Sequence, residues 1–74
     1  MSGEFGVVLF FTTSSAMRGE KVAREAGLKI KLVPTPRQLS SDCGLALRFA
    51  WADADAVRRC LEEARAENDG LYRI

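Results

Sequence analysis

Seventy-four residues provide for one small domain and no more. Apolar residues make up 47% and charged residues 28%, a globular balance that argues against disorder, and a net charge of +1 sets up no global field that selects nucleic acid or a membrane surface. No histidine occurs, which removes the usual general base and the commonest metal ligand, and two cysteines alone do not build a structural zinc site.

The first element in chain order is Val7 to Phe11, β-branched and aromatic, bounded by Gly6 and a Thr/Ser cluster. It predicts a strand buried on both faces and hence central in its sheet. With its flank it is far shorter than the ~20 apolar residues of a membrane span. The residues before it carry Glu4 and no Lys or Arg, so no basic region of a signal peptide is visible. The expected setting is the cytoplasm, with reduced thiols.

Ser14 or Ser15 is the expected N-cap of a helix over about Ala16–Ala26. Ala16, Gly19, Val22/Ala23 and Ala26 fall on one stripe, while Arg18, Glu20, Lys21, Arg24 and Glu25 face water. Gly19 is unfavourable in a helix by about 1 kcal/mol against Ala, which a close approach to the sheet would explain. Gly27 is the expected left-handed stop. Leu28 to Val33 alternates with period two, Lys29 and Lys31 pointing away from Leu28, Ile30 and Leu32. That pattern suits an edge strand, ended by Pro34.

An 11-residue segment, 34–44, precedes the next strand, Leu45–Trp51. Asp53 or Asp55 is the expected cap of a second helix running to about Asn68, with Val57, Cys60/Leu61 and Ala64 inward. Asp69-Gly70 reads as a turn and Leu71–Ile74 as a last short strand. The order β-α-β-β-α-β predicts an α+β, ferredoxin-like split β-α-β sandwich. The first strand lies beside the third, the second and fourth take the edges, and both helices cover one face. The other face, expected to carry Val8, Phe10 or their neighbours, is either covered by a homodimer or partner domain or left with scattered exposed apolar residues.

Charge is uneven. Residues 18–48 carry seven basic against three acidic side chains, and residues 50–69 three basic against six acidic. This reads either as ordinary solvated faces or as a mildly electropositive surface for an anion or acidic partner. Without interleaved aromatics, nucleic-acid binding is not expected.

Chemistry concentrates in the 34–44 segment, which is long for a hairpin connection. It holds two stiffening prolines, Thr35, Arg37, the hydroxyls of Ser40 and Ser41, and Cys43 followed by the permissive Gly44. In a split β-α-β fold this loop lies at the sheet end where the first helix begins, so Cys43 is expected near Thr12, Thr13, Ser14 and Ser15. A helix N-terminus and a nearby Arg37 or Arg48 favour a thiolate, and Asp42 opposes it. Cys43 therefore reads either as a functional thiol or as a turn-packing residue. Cys60, on an apolar helical stripe, reads as a small hydrophobe. No metal site or cofactor is expected, and no phosphate-binding glycine motif occurs.

The string Pro34-Thr35-Pro36-Arg37, then Leu39-Ser40-Ser41-Asp42-Cys43-Gly44, set after Ala16–Leu28, resembles the family of small bacterial selenium/sulfur carrier-like proteins. The resemblance runs from about Val7 to Ile74. The family's cysteine falls on Cys43, its arginine on Arg37, its serines on Ser40 and Ser41 and its glycine on Gly44. Gly19 stands where the family usually has alanine. The resemblance implies a cytosolic carrier or relay in which Cys43 holds a persulfide or selenosulfide between donor and acceptor proteins. Two other readings remain open: a non-covalent module whose loop binds an anion or peptide, and a thiol redox sensor. A turnover enzyme has no visible base.

Overall fold

The computed structural model describes residues 4–39 and 44–74. The elements are β1 (Phe5–Leu9), α1 (Thr13–Glu25), β2 (Ile30–Pro34), β3 (Leu45–Ala50), a 3-10 turn (Trp51–Asp53), α2 (Ala54–Glu63) and β4 (Leu71–Arg73). The sheet order is β2-β3-β1-β4, and every neighbouring pair is antiparallel. This is the expected ferredoxin-like split β-α-β arrangement, with β1 and β3 central and β2 and β4 at the edges.

Sheet parity decides what each face carries. Gly6 is opposite Phe49 and Val8 opposite Leu47, and Val8, Leu47 and Phe49 join Phe10 with Ala16, Ala23, Val57 and Leu61 in one buried cluster. Both helices therefore cover that face. Val7, Leu9 and Ala46 form a second buried cluster on the opposite face. Of Val8, Phe10 or their neighbours, expected on the uncovered face, it is the neighbours that lie there and not Val8 and Phe10. They point into the helical core, and Phe5, Val7 and Leu9 take the other side, because pleating sends alternate residues to opposite faces.

The element ends also differ from expectation. Helix α1 starts earlier, with Thr12 as its N-cap: the Thr12 hydroxyl accepts the Ser15 N–H at 3.1 Å. Ser14 and Ser15 are thus inside the first turn. The β1 strand ends at Leu9, two residues short, and Ala26 is exposed beyond the buried stripe of Ala16, Gly19 and Ala23. Gly27 ends α1 at φ +83°, and Leu28 N–H reaches the Ala23 carbonyl at 3.1 Å, closing a Schellman motif.

Helix α2 stops at Glu63, not near Asn68. Arg65 adopts φ 54° and Ala66 N–H bonds the Leu61 carbonyl at 2.9 Å, the same motif with arginine in the glycine position. Asp53 stands at the α2 boundary, but its side chain makes no cap bond. The 3-10 turn leads directly into the helix, and Asp55 instead pairs with Arg58 at 3.4 Å.

The two helices are held together by packing and by polar contacts. Arg18 of α1 donates to the Ala64 carbonyl at 3.0 Å, placing a cation at the C-terminus of α2.

Candidate functional site

Pro34 pairs with Leu45 at the end of the β2–β3 ladder. Thr35 N–H then donates to the Gly44 carbonyl at 2.9 Å, which fixes the neck of the connecting loop. Inside it, Leu39 N–H bonds the Pro36 carbonyl at 3.0 Å. That closes a turn whose central residues are Arg37 and Gln38, and both are exposed.

Leu39 is the loop's anchor. Its side chain packs against the cluster of Val7, Leu9 and Ala46, so the loop folds over the face without helices. The sequence reading did not single Leu39 out. Its signal was there: it is the one large apolar side chain in segment 34–44.

Register places this loop at a definite end of the molecule. Leu9 is opposite Ala46, beside Leu45, so β1 ends where the β2–β3 loop leaves the sheet. Thr12 and the first turn of α1 follow within a few residues. Of the expected site residues, Thr13, Ser14, Thr35, Arg37 and Gly44 thus share one end of the sheet. Thr13, Ser14, Arg37 and Gly44 are exposed and Thr35 half-buried. Ser40, Ser41, Asp42 and Cys43 lie outside the described residues. Two large apolar side chains, Phe11 and Met17, are also exposed here, on the segment entering α1 and on α1 itself.

Arg48 does not belong to this group. It sits in the middle of β3, opposite Val7 and Lys31, three residues or about 10 Å of strand beyond Leu45. Its guanidinium lies 4.8 Å from the centre of the Phe5 ring, directed away from the loop.

The second thiol has a structural setting. Cys60 is free and half-buried, and its Sγ donates to the Val22 carbonyl at 3.4 Å between the helices. Burial, aided by the Glu63 carboxylate, pushes its pKa above the ordinary thiol range. Such a thiol is a poor nucleophile at neutral pH. Among the described residues no group of three or more Cys, Asp or Glu is placed to hold a metal ion, and no helix is long and apolar enough to cross a membrane.

Residues 5–73 match the family described as "Putative Se/S carrier protein-like". The chain belongs to this family. The match takes in all four strands, both helices and the β2–β3 loop, so the family unit is the whole sandwich. An uncharacterized protein of Methanocaldococcus jannaschii is 33% identical over 57 residues, covering 77% of this chain. The aligned part is 28% of that relative, so the chain spans less than a third of its length. No solved structure matches.

Proposed function

We propose that this protein is a carrier or relay for sulfur or selenium, with Cys43 as the carrying atom's attachment point. Membership of the Se/S carrier-like family is the observation that carries the reading. Two features of the fold support it. The Cys43-bearing loop leaves the sheet at the end where α1 begins. The other cysteine is half-buried between helices with a raised pKa, which leaves Cys43 as the better candidate for thiol chemistry.

Loading begins with the Cys43 thiolate. It attacks the terminal sulfur of a donor protein's persulfide, an S–S bond forms at Cys43, and the donor's thiolate leaves. Delivery is the reverse: an acceptor nucleophile takes the terminal sulfur and the Cys43 thiolate is released. With selenium, the attacked atom is the donor's terminal selenium and Cys43 carries a selenosulfide. No net oxidation occurs in either step, and no base is needed once the thiol is ionised, in keeping with a chain without histidine.

The Arg37 side chain, the hydroxyls of Ser40 and Ser41, and the loop and α1 amides are the groups assigned to the bound anion. Thr12 already accepts the Ser15 N–H, so the amides of Thr13 and Ser14 are the ones offered by the helix. Donor and acceptor proteins approach this end, where exposed Phe11 and Met17 supply apolar contact.

The test is pH-dependent alkylation of the native protein with the two cysteines resolved by peptide mass spectrometry, followed by transfer of labelled sulfur. Cys43 is expected to react fast, with an apparent pKa below about 8.5, and Cys60 slowly. A Cys43→Ser variant is expected to accept no label. A sluggish Cys43, or full transfer by Cys43→Ser, overturns the proposal. Binding of an anion or peptide that needs Arg37 and not Cys43 would install the non-covalent reading in its place.

A further inference from the structure

The face without helices is divided in two. Leu39 covers the half built from Leu9 and Ala46. The half toward the start of β1 is open and carries unusual chemistry. Lys31 of β2 and Arg48 of β3 are directly opposed in the register, so two cations share one face at cross-strand contact distance. Like charges placed in this way destabilise a sheet. No carboxylate from any strand lies on that face to offset them: its strand residues are Phe5, Val7 and Leu9, Lys31 and Val33, Ala46, Arg48 and Ala50, and Tyr72.

A groove of about 450 Å³ runs from this face around the sheet end. Phe5, Lys29, Lys31 and Arg48 line it, and its walls hold no acidic residue. Phe5 is 39% and Tyr72 40% exposed, so apolar surface adjoins the cations.

We propose that this cationic, aromatic groove docks an acidic segment of a partner protein, carboxylates meeting Lys29, Lys31 and Arg48 and an apolar side chain meeting Phe5. Charge complementarity selects this occupant. A second copy of the chain would bring the same uncompensated cations face to face across a twofold axis. A single-stranded nucleic acid would need free aromatic faces for stacking bases. Here one face of the Phe5 ring is taken by the Arg48 guanidinium. The Tyr72 ring lies over the Gly70 turn, with its hydroxyl donating to the Asp69 carbonyl at 3.1 Å. The groove lies at the opposite end of the sheet from the Thr35–Gly44 loop neck, so the inference does not depend on the thiol's chemistry.

The experiment is an amide NMR titration of the whole chain with a synthetic peptide alternating Glu and Leu. Its Lys/Leu counterpart and an oligothymidylate serve as comparison probes. The Glu/Leu peptide is expected to move the amides of Phe5, Lys31 and Arg48, with a dissociation constant that rises steeply with salt. Lys31→Glu is expected to weaken binding at least tenfold while remaining folded, since it replaces a like-charged pair by an opposite-charged one. Arg48→Gln gives a second, independent loss. A Cys43→Ser variant should bind the peptide as the parent does.

Four results overturn the proposal: no shift at these amides, equal binding of the Lys/Leu peptide, stronger shifts with the oligothymidylate, or shifts that follow protein concentration without any peptide.

Discussion

Gly19→Ala tests how closely α1 is laid on the sheet. A Cβ at position 19 would stand 2.7 Å and 2.8 Å from two carbons of the Phe10 ring and 3.5 Å from a Leu61 methyl. Against ordinary contact beginning near 3.4 Å, the ring must give by about 0.7 Å. Phe10 is fully buried and packed among α1, α2 and the sheet, so it has nowhere free to go.

Overpacking of this kind costs about 1–3 kcal/mol. The alanine recovers about 1 kcal/mol of helix propensity. The expected net is a destabilisation of about 1 kcal/mol, or about 4–8 °C in Tm for a chain of this size. Urea and thermal unfolding followed by far-UV circular dichroism read it directly. Phe10→Leu shortens the offending side chain, so Gly19→Ala made in that background should cost less than in the parent, a coupling visible in a double-mutant cycle. An alanine variant about 1 kcal/mol more stable than the parent, with no coupling to position 10, would refute the close approach.

Three further outcomes follow from the same structure. Arg65→Gly should stabilise by about 1 kcal/mol in urea unfolding, since Arg65 is held at φ 54° in the left-handed region that glycine enters freely. The raised Cys60 pKa means the folded state holds that proton more tightly than the unfolded chain. Its stabilising effect is complete below the ordinary thiol value of about 8.5 and is lost as pH rises through the folded value. Denaturation midpoints should therefore fall between pH 8 and 10 in the parent more than in Cys60→Ala, and identical pH profiles would contradict it. Leu39→Ala should loosen the β2–β3 loop while leaving the sheet intact. The readout is faster amide exchange at residues 35–39 with unchanged protection in β1 and β3; uniform loss of protection would show that Leu39 supports the core itself.

Much of the fold was legible in the chain. The unbroken Val7–Leu9 run specified a central strand, the Lys29/Lys31 alternation an edge, and Gly27 and Gly70 two of the places where the backbone takes a positive φ, at +83° and +100°. Those signals are local, set by one side chain's steric or solvation preference, and they sum to the observed strand order. The family was legible too, because the resemblance is carried by residue identity alone.

Tertiary structure decided the rest. Whether odd or even residues of β1 face the helices was settled by packing: Phe10 and Val8 fill the space under α1 and α2, and parity then assigned Phe5, Val7 and Leu9 to the other side. The end of α2 at Glu63 depended on a left-handed arginine and on Arg18 arriving from α1 at the Ala64 cap, neither of which helix periodicity encodes. The opposition of Lys31 to Arg48 is a matter of register between residues 17 positions apart. A sequence states which side chains a strand owns, but only the pairing of strands states which charges must face each other.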